Sequence, residues 1–157
     1  MDKVHSYLLD WAINFVKNRD AFTKKIKEIE KGKDSDFSVR YDDGKEASFI
    51  IIPSIDDIQK TLEKRTKKDH FCIITLNNKD NLDSIINNWK KLIEYEFLSI
   101  YFVNPDSKLD KKWILFPYTH NKICDESSLK SGLKSMFEMV EQISEGQLKL
   151  SYTHRQK

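Results

Sequence analysis

A mixed α/β domain is predicted by three observations: a strand, turn and strand signal between residues 37 and 52, a strand, helix and strand succession between 70 and 103, and amphipathic helical stripes near both ends. The chain has 157 residues, 27 Lys plus Arg against 25 Asp plus Glu, and a formal charge of +2. A folded chain of this length buries roughly 70% of the surface it exposes when unfolded, so one core without disulfides or a structural metal is expected. Residues 1–146 are assigned to a single domain and 147–157 to a C-terminal tail or short edge strand.

Val4, Leu8, Trp11 and Phe15 form one stripe of a 3.6-residue period, so the chain opens with an amphipathic helix. Beyond Asp20, residues 24–31 fit a continuation of that helix or an edge strand equally well. Phe37 to Tyr41 alternates apolar with polar, Asp42-Asp43-Gly44-Lys45 gives a tight-turn signal, and Glu46 to Ile52 resumes as a β-branched strand: a hairpin. Pro53 ends it, and Ser54 is read as the cap of a short helix reaching about Arg65.

His70 to Leu76 and Phe97 to Val103 are near-continuous apolar runs. Between them Leu82, Ile85, Ile86, Trp89, Leu92 and Ile93 form a helical face opened by Asp80. Short links and apolar strands imply a βαβ unit with parallel strands covered on both faces. The eight residues from Asn104 to Lys111 are too few for a crossover helix, so Lys112 to Tyr118 is expected to return antiparallel. A last helix is predicted from an Asp125 cap through Leu129, Leu133, Phe137, Val140 and Ile143, stopped by Gly146. In the tail, Leu148, Leu150 and Tyr152 alternate.

Several function classes are excluded by what the sequence lacks. No apolar run approaches the about 20 residues of a membrane-spanning helix. The first residues, with Asp10 among apolar ones, read as a domain helix and not a signal peptide, so a cytoplasmic location is expected. Four scattered glycines build neither a Walker loop nor a dinucleotide fingerprint, and no zinc-ligand spacing occurs. No cofactor and no metal are therefore expected. Cys72 and Cys124 make no disulfide framework.

Four residue sets carry chemical potential. Asn77, Asn78, Asn104 and Asp106 follow the two parallel strands and should share one polar rim, the usual place for ligands of such sheets. His120, Cys124 and Asp125 crowd one turn between a strand and the last helix, where a thiolate with a neighbouring imidazole would be nucleophilic. Lys60, Lys64, Arg65, Lys67 and Lys68 form the least neutralised basic segment, suited to non-specific contacts with nucleic-acid phosphates. Other basic clusters, at 24–27, 90–91 and 111–112, are for the most part interleaved with acids and read as solvated surface. With only four arginines, bidentate reading of base sequence is not expected.

The hairpin supplies the fourth set, Asp36, Asp43, Lys45 and Glu46. The order helix, hairpin, strand, helix, strand resembles the core of the PD-(D/E)xK, or restriction-endonuclease-like, fold. That resemblance implies a metal-dependent nuclease in which Asp36, Asp43 and Glu46 hold magnesium and Lys45 or a remote lysine supplies positive charge. Glu46-Ala47-Ser48 stands where that family has Glu-x-Lys, so serine replaces the lysine.

The leading expectation is a non-catalytic domain that binds a macromolecule. Its surface is either the basic segment or an apolar helical face that pairs two copies or a protein partner through Leu8, Trp11, Phe15, Met136 and Met139. The nuclease is the alternative.

Overall fold

The computed structural model describes residues 3–32, 35–109 and 112–155. Lys111, one half of a basic pair, and the last two residues of the tail lie outside them. Six strands, β1 (Ile26–Lys31), β2 (Phe37–Tyr41), β3 (Glu46–Ile51), β4 (Phe71–Leu76), β5 (Leu98–Val103) and β6 (Lys112–Leu115), form one sheet in sequence order. The sheet is mixed: β3, β4 and β5 run parallel, while β1, β2 and β6 pair antiparallel to their neighbours. Residues 24–31 thus resolve as an edge strand from Ile26 onward, and its exposed Lys27 and Glu28 blunt that edge.

Turn chemistry fixes the hairpin. Gly44 adopts φ +89, the left-handed region open to glycine, and the Asp43 carboxylate accepts from the Lys45 amide at 2.9 Å. Register then stacks Phe37 on Phe49, with ring centroids 4.6 Å apart. All six residues of β4 are buried, as a central parallel strand requires, and Phe71↔Leu98 through Leu76↔Val103 pair in register with β5.

Helix α1 (Lys3–Asp20) covers one face of the sheet, burying Val4, Leu8, Ala12 and Val16 on Val39, Ile51, Ile74 and Val103. The opposite face receives α2 (Ile58–Glu63), α3 (Lys79–Asn87), α4 (Trp89–Leu92) and α6 (Glu126–Glu138), which bury Leu62, Ile85, Leu92 and Phe137 on Ile73, Ile100 and Phe102. The short α5 (Pro117–Ile123) links β6 to α6. The caps differ from expectation in detail: Asp57, not Ser54, caps α2, and Asn78, not Asp80, caps α3. The helix expected over 82–93 breaks at Asn88, whose side chain donates to the Ser84 carbonyl at 2.7 Å.

Two larger corrections concern the C-terminal third. Strand β6 stops at Leu115 because Pro117, which has no amide to offer a ladder, opens α5. The last predicted helix ends at Glu138 and does not reach Ile143. Val140 packs on the α6 face of the sheet and Ile143 on the α1 face, so residues 139–144 cross the sheet's rim as a strap. One straight helix cannot serve both faces. Beyond the strap, the expected tail or edge strand is a helix, α7 (Glu145–Arg155), packed beside α1 through buried Leu148, and Gly146 lies inside it.

The apolar pairing face is also not continuous. Leu8 is fully buried, Trp11 and Phe15 are half-buried on α1, and across the sheet Met136 lies on α6 and Met139 at its C-terminal cap.

Candidate functional site

The carboxyl ends of β4 and β5 share one rim, and its asparagines are spent on the strap. Asn77, fully buried, donates to the carbonyls of Phe137 at 3.2 Å and Val140 at 2.9 Å, and accepts from the Trp113 indole at 2.8 Å. Asn78 donates to the Ile143 carbonyl and Asn104 to that of Glu141, each at 3.0 Å, while the Asn104 side-chain oxygen accepts from the Asp106 amide. Asn81, which sequence reading left out, bridges the rim to the loop after β3 through Ile55, Pro53 and Leu76. These carboxamides satisfy backbone groups that the end of α6 and the non-helical strap leave without helical partners. The chain's own strap thus fills the place where open parallel sheets ordinarily receive ligands.

The 117–126 segment is a helix, a one-residue break and a second helix cap, not a single turn. His120 accepts from the Phe116 amide through Nδ1 at 3.0 Å, which leaves Nε2 to carry the proton of a neutral ring. Cys124, half-buried, caps the end of α5. Asp125 caps α6, and the Ser128 amide at 2.8 Å holds its carboxyl below the usual carboxylate range. His120 and Cys124 border an apolar cavity of about 180 Å3 with Trp113, Leu133 and Met136, and no carboxylate lines it to orient the imidazole. Cys72 is inert: burial pushes its thiol up to about 12.

The hairpin acids do not converge. Asp36 precedes β2 at the end where Phe37 pairs with Phe49, whereas Arg40 pairs with Glu46 at the other end and Asp43 lies in the turn beyond. Four residues of strand separate the two ends by on the order of 13 Å. Both Asp36 oxygens are engaged, Oδ2 by the Ile51 amide at 2.7 Å and Oδ1 by His5 Nε2 at 2.8 Å. Asp43 is held by the Lys45 amide in the turn, and Glu46 faces Arg40 at 3.9 Å. The magnesium cage drawn from these acids is not assembled. Among the described residues, no group of three or more His, Cys, Asp or Glu side chains is placed to hold a metal ion.

The basic segment divides in two. Lys67 and Lys68 lie past α2, where Glu94 and Glu96 meet them at 3.6 and 2.7 Å. The hydrogen bond to Glu96 raises the Lys68 ammonium above its ordinary range. Lys60 and Lys64, by contrast, are exposed one helical turn apart and join no ion pair among the described residues. Together with Thr61 and Arg65, also four apart, they wall an open cleft of about 310 Å3 whose other side is Ser35, Asp36 and Ile50. The Arg65 guanidinium lies 6.0 Å from the Phe71 ring centroid, near the edge of cation–π range, and Asp69 is its acidic neighbour. The structure therefore brings Asp36 beside Lys60, Lys64 and Arg65, a grouping the sequence did not suggest. The helical spacing of the cations was readable, but the position of Asp36 depends on where β2 enters the sheet.

Compared with protein-family models, with curated proteins and with solved structures, the chain matches none. The element order shared with restriction-endonuclease-like folds consequently has no structural neighbour behind it. No described helix is long and apolar enough to cross a membrane.

Proposed function

We propose that this chain is a non-catalytic binding domain that holds a nucleic acid by its phosphates in the cleft beside α2. One observation carries the reading: Lys60 and Lys64, exposed and outside the ion pairs of the described residues, share a concave surface with Arg65, and among the described residues lining it Asp36 supplies the carboxylate. That carboxylate, Asp36, is already bonded to His5 and the Ile51 amide, which reduces its repulsion of an anion. Thr61 offers a hydroxyl at the same wall. Lysines supply charge without the fork that reads guanine, so the contacts favour backbone over base and little sequence preference is expected.

Fluorescence anisotropy with labelled single-stranded and duplex oligonucleotides tests this. Three phosphate contacts predict that log K falls with log salt with a slope of about −2 to −3. Replacing Lys60, Lys64 and Arg65 together by alanine should weaken binding by about tenfold or more at low salt. If that variant binds as the parent does, the cleft is not the site. Magnesium-dependent cleavage abolished by Glu46→Ala would restore the nuclease reading in its place.

A further inference from the structure

A second concave surface lies on the other side of α2. A cavity of about 470 Å3 forms a groove between α4 and α6 with Gln59 of α2 at its edge. Its floor is apolar: Ile86, Trp89 and Leu129 are half-buried and Leu133 is buried. On α6 the lining residues Glu126, Leu129, Lys130 and Leu133 fall at i, i+3, i+4 and i+7, one face of the helix over about 11 Å. The indole N–H of Trp89 is held by Asn121 Oδ1 at 3.1 Å, which fixes the ring as part of the floor.

The rim carries the opposite chemistry. Lys90, Lys91 and Lys130 border the groove against the single acid Glu126, all four exposed, and none of the three lysines joins an ion pair among the described residues. An aliphatic floor with an ammonium rim complements a helix that has one apolar stripe and acidic flanks. A nucleic acid fits it less well, because base stacking needs aromatic faces and the floor offers only Trp89 beside three aliphatic side chains.

We infer that the groove between α4 and α6 docks an acidic amphipathic helix of a partner protein, two to three turns long, with its apolar stripe on Leu129, Leu133 and Trp89. The site is independent of the phosphate cleft, which α2 separates from it.

A displayed library of amphipathic helices, its flanking positions varied among Glu, Gln and Lys, is selected on the full chain, and the enriched peptides are labelled for anisotropy. Glu-flanked peptides are expected to win. Leu129→Glu should weaken them by about tenfold or more by placing a carboxylate against the apolar stripe. Because Leu129 is half-buried, circular dichroism checks that the variant folds. A second variant, Lys90→Glu with Lys91→Glu and Lys130→Glu, alters exposed positions only and should turn the preference toward Lys-flanked peptides. The alanine triple at Lys60, Lys64 and Arg65 should leave peptide binding unchanged. Enrichment of basic peptides on the parent, equal binding to parent and Glu triple, or no enrichment over that triple would each overturn the inference. So would an oligonucleotide whose binding is lost in the Glu triple and which displaces the peptide, since the groove would then belong to nucleic acid.

Discussion

The rim above β4 and β5 and the cleft beside α2 are both polar, and opposite in how their side chains are used. At the rim, Asn77, Asn78, Asn81 and Asn104 each bond at least one backbone group far away in sequence and leave little to offer a ligand. In the cleft, Lys60 and Lys64 contribute no ion pair among the described residues to the fold, and their charge faces water. The difference teaches that polarity at an expected position is a weak guide to function. What separates a binding group from a structural one is whether its hydrogen bonds are already made.

The sharpest way to break this comparison is at Asn77. Asn77→Leu should strand the Trp113 indole N–H and the Val140 carbonyl of the strap in the interior and cost about 2–5 kcal/mol in chemical denaturation. A loss under about 1 kcal/mol would mean the rim is not structural. Next comes alanine at Lys60 and Lys64 alone, both exposed and outside the ion pairs of the described residues, for which stability is expected to stay within about 1 kcal/mol of the parent while oligonucleotide binding falls. Unfolding instead of lost binding would put those residues on the structural side. Smaller still is the double variant Lys67→Ala and Lys68→Ala: their ammonium groups already face Glu94 and Glu96, so oligonucleotide affinity should change by no more than about threefold.

The smallest expected effect is a pH dependence. The amide and hydroxyl of Thr66 hold the Asp69 carboxyl below its usual range. A group lowered by folding stabilises the fold above the unfolded carboxylate value of about 3.9 and loses that contribution as pH falls through its folded value. Stability measured down through the acid range should decline less steeply in Asp69→Asn than in the parent; parallel curves would show that the turn contributes nothing.

Much of the sheet was legible because local chemistry and fold agree. The Asp-Gly turn, the alternating β2 and the apolar runs at 71–76 and 98–103 each point to one arrangement, and the parallel pairing of β4 with β5 follows from the helix between them. The strap and α7 were not legible. Val140 and Ile143 keep a helical spacing with Leu129, Leu133 and Phe137 although they serve opposite faces of the sheet. Leu148 and Leu150 alternate like a strand, yet only Leu148 is buried, and two residues cannot distinguish one anchor on a helix from an edge. The asparagines were visible as a rim; that Asn77, Asn78 and Asn104 face inward depends on carbonyls 37 to 65 positions later, beyond the reach of any local pattern. For the cleft, helical spacing gave the cations, whereas the pairing of Lys67 and Lys68 needed the end of α4 to be placed.

The strap has a consequence for how the molecule is made. Asn77 leaves the ribosome well before the carbonyls at 137 and 140 that it captures, so its burial awaits residues 60 and 63 positions later. Until then Trp113 has no acceptor at Asn77 fixed in place and the α1 layer lacks its neighbour α7. Closure of the two layers therefore waits for residues 137–148 to emerge, and a chain cut short before residue 140 would carry a paired sheet whose top stays open.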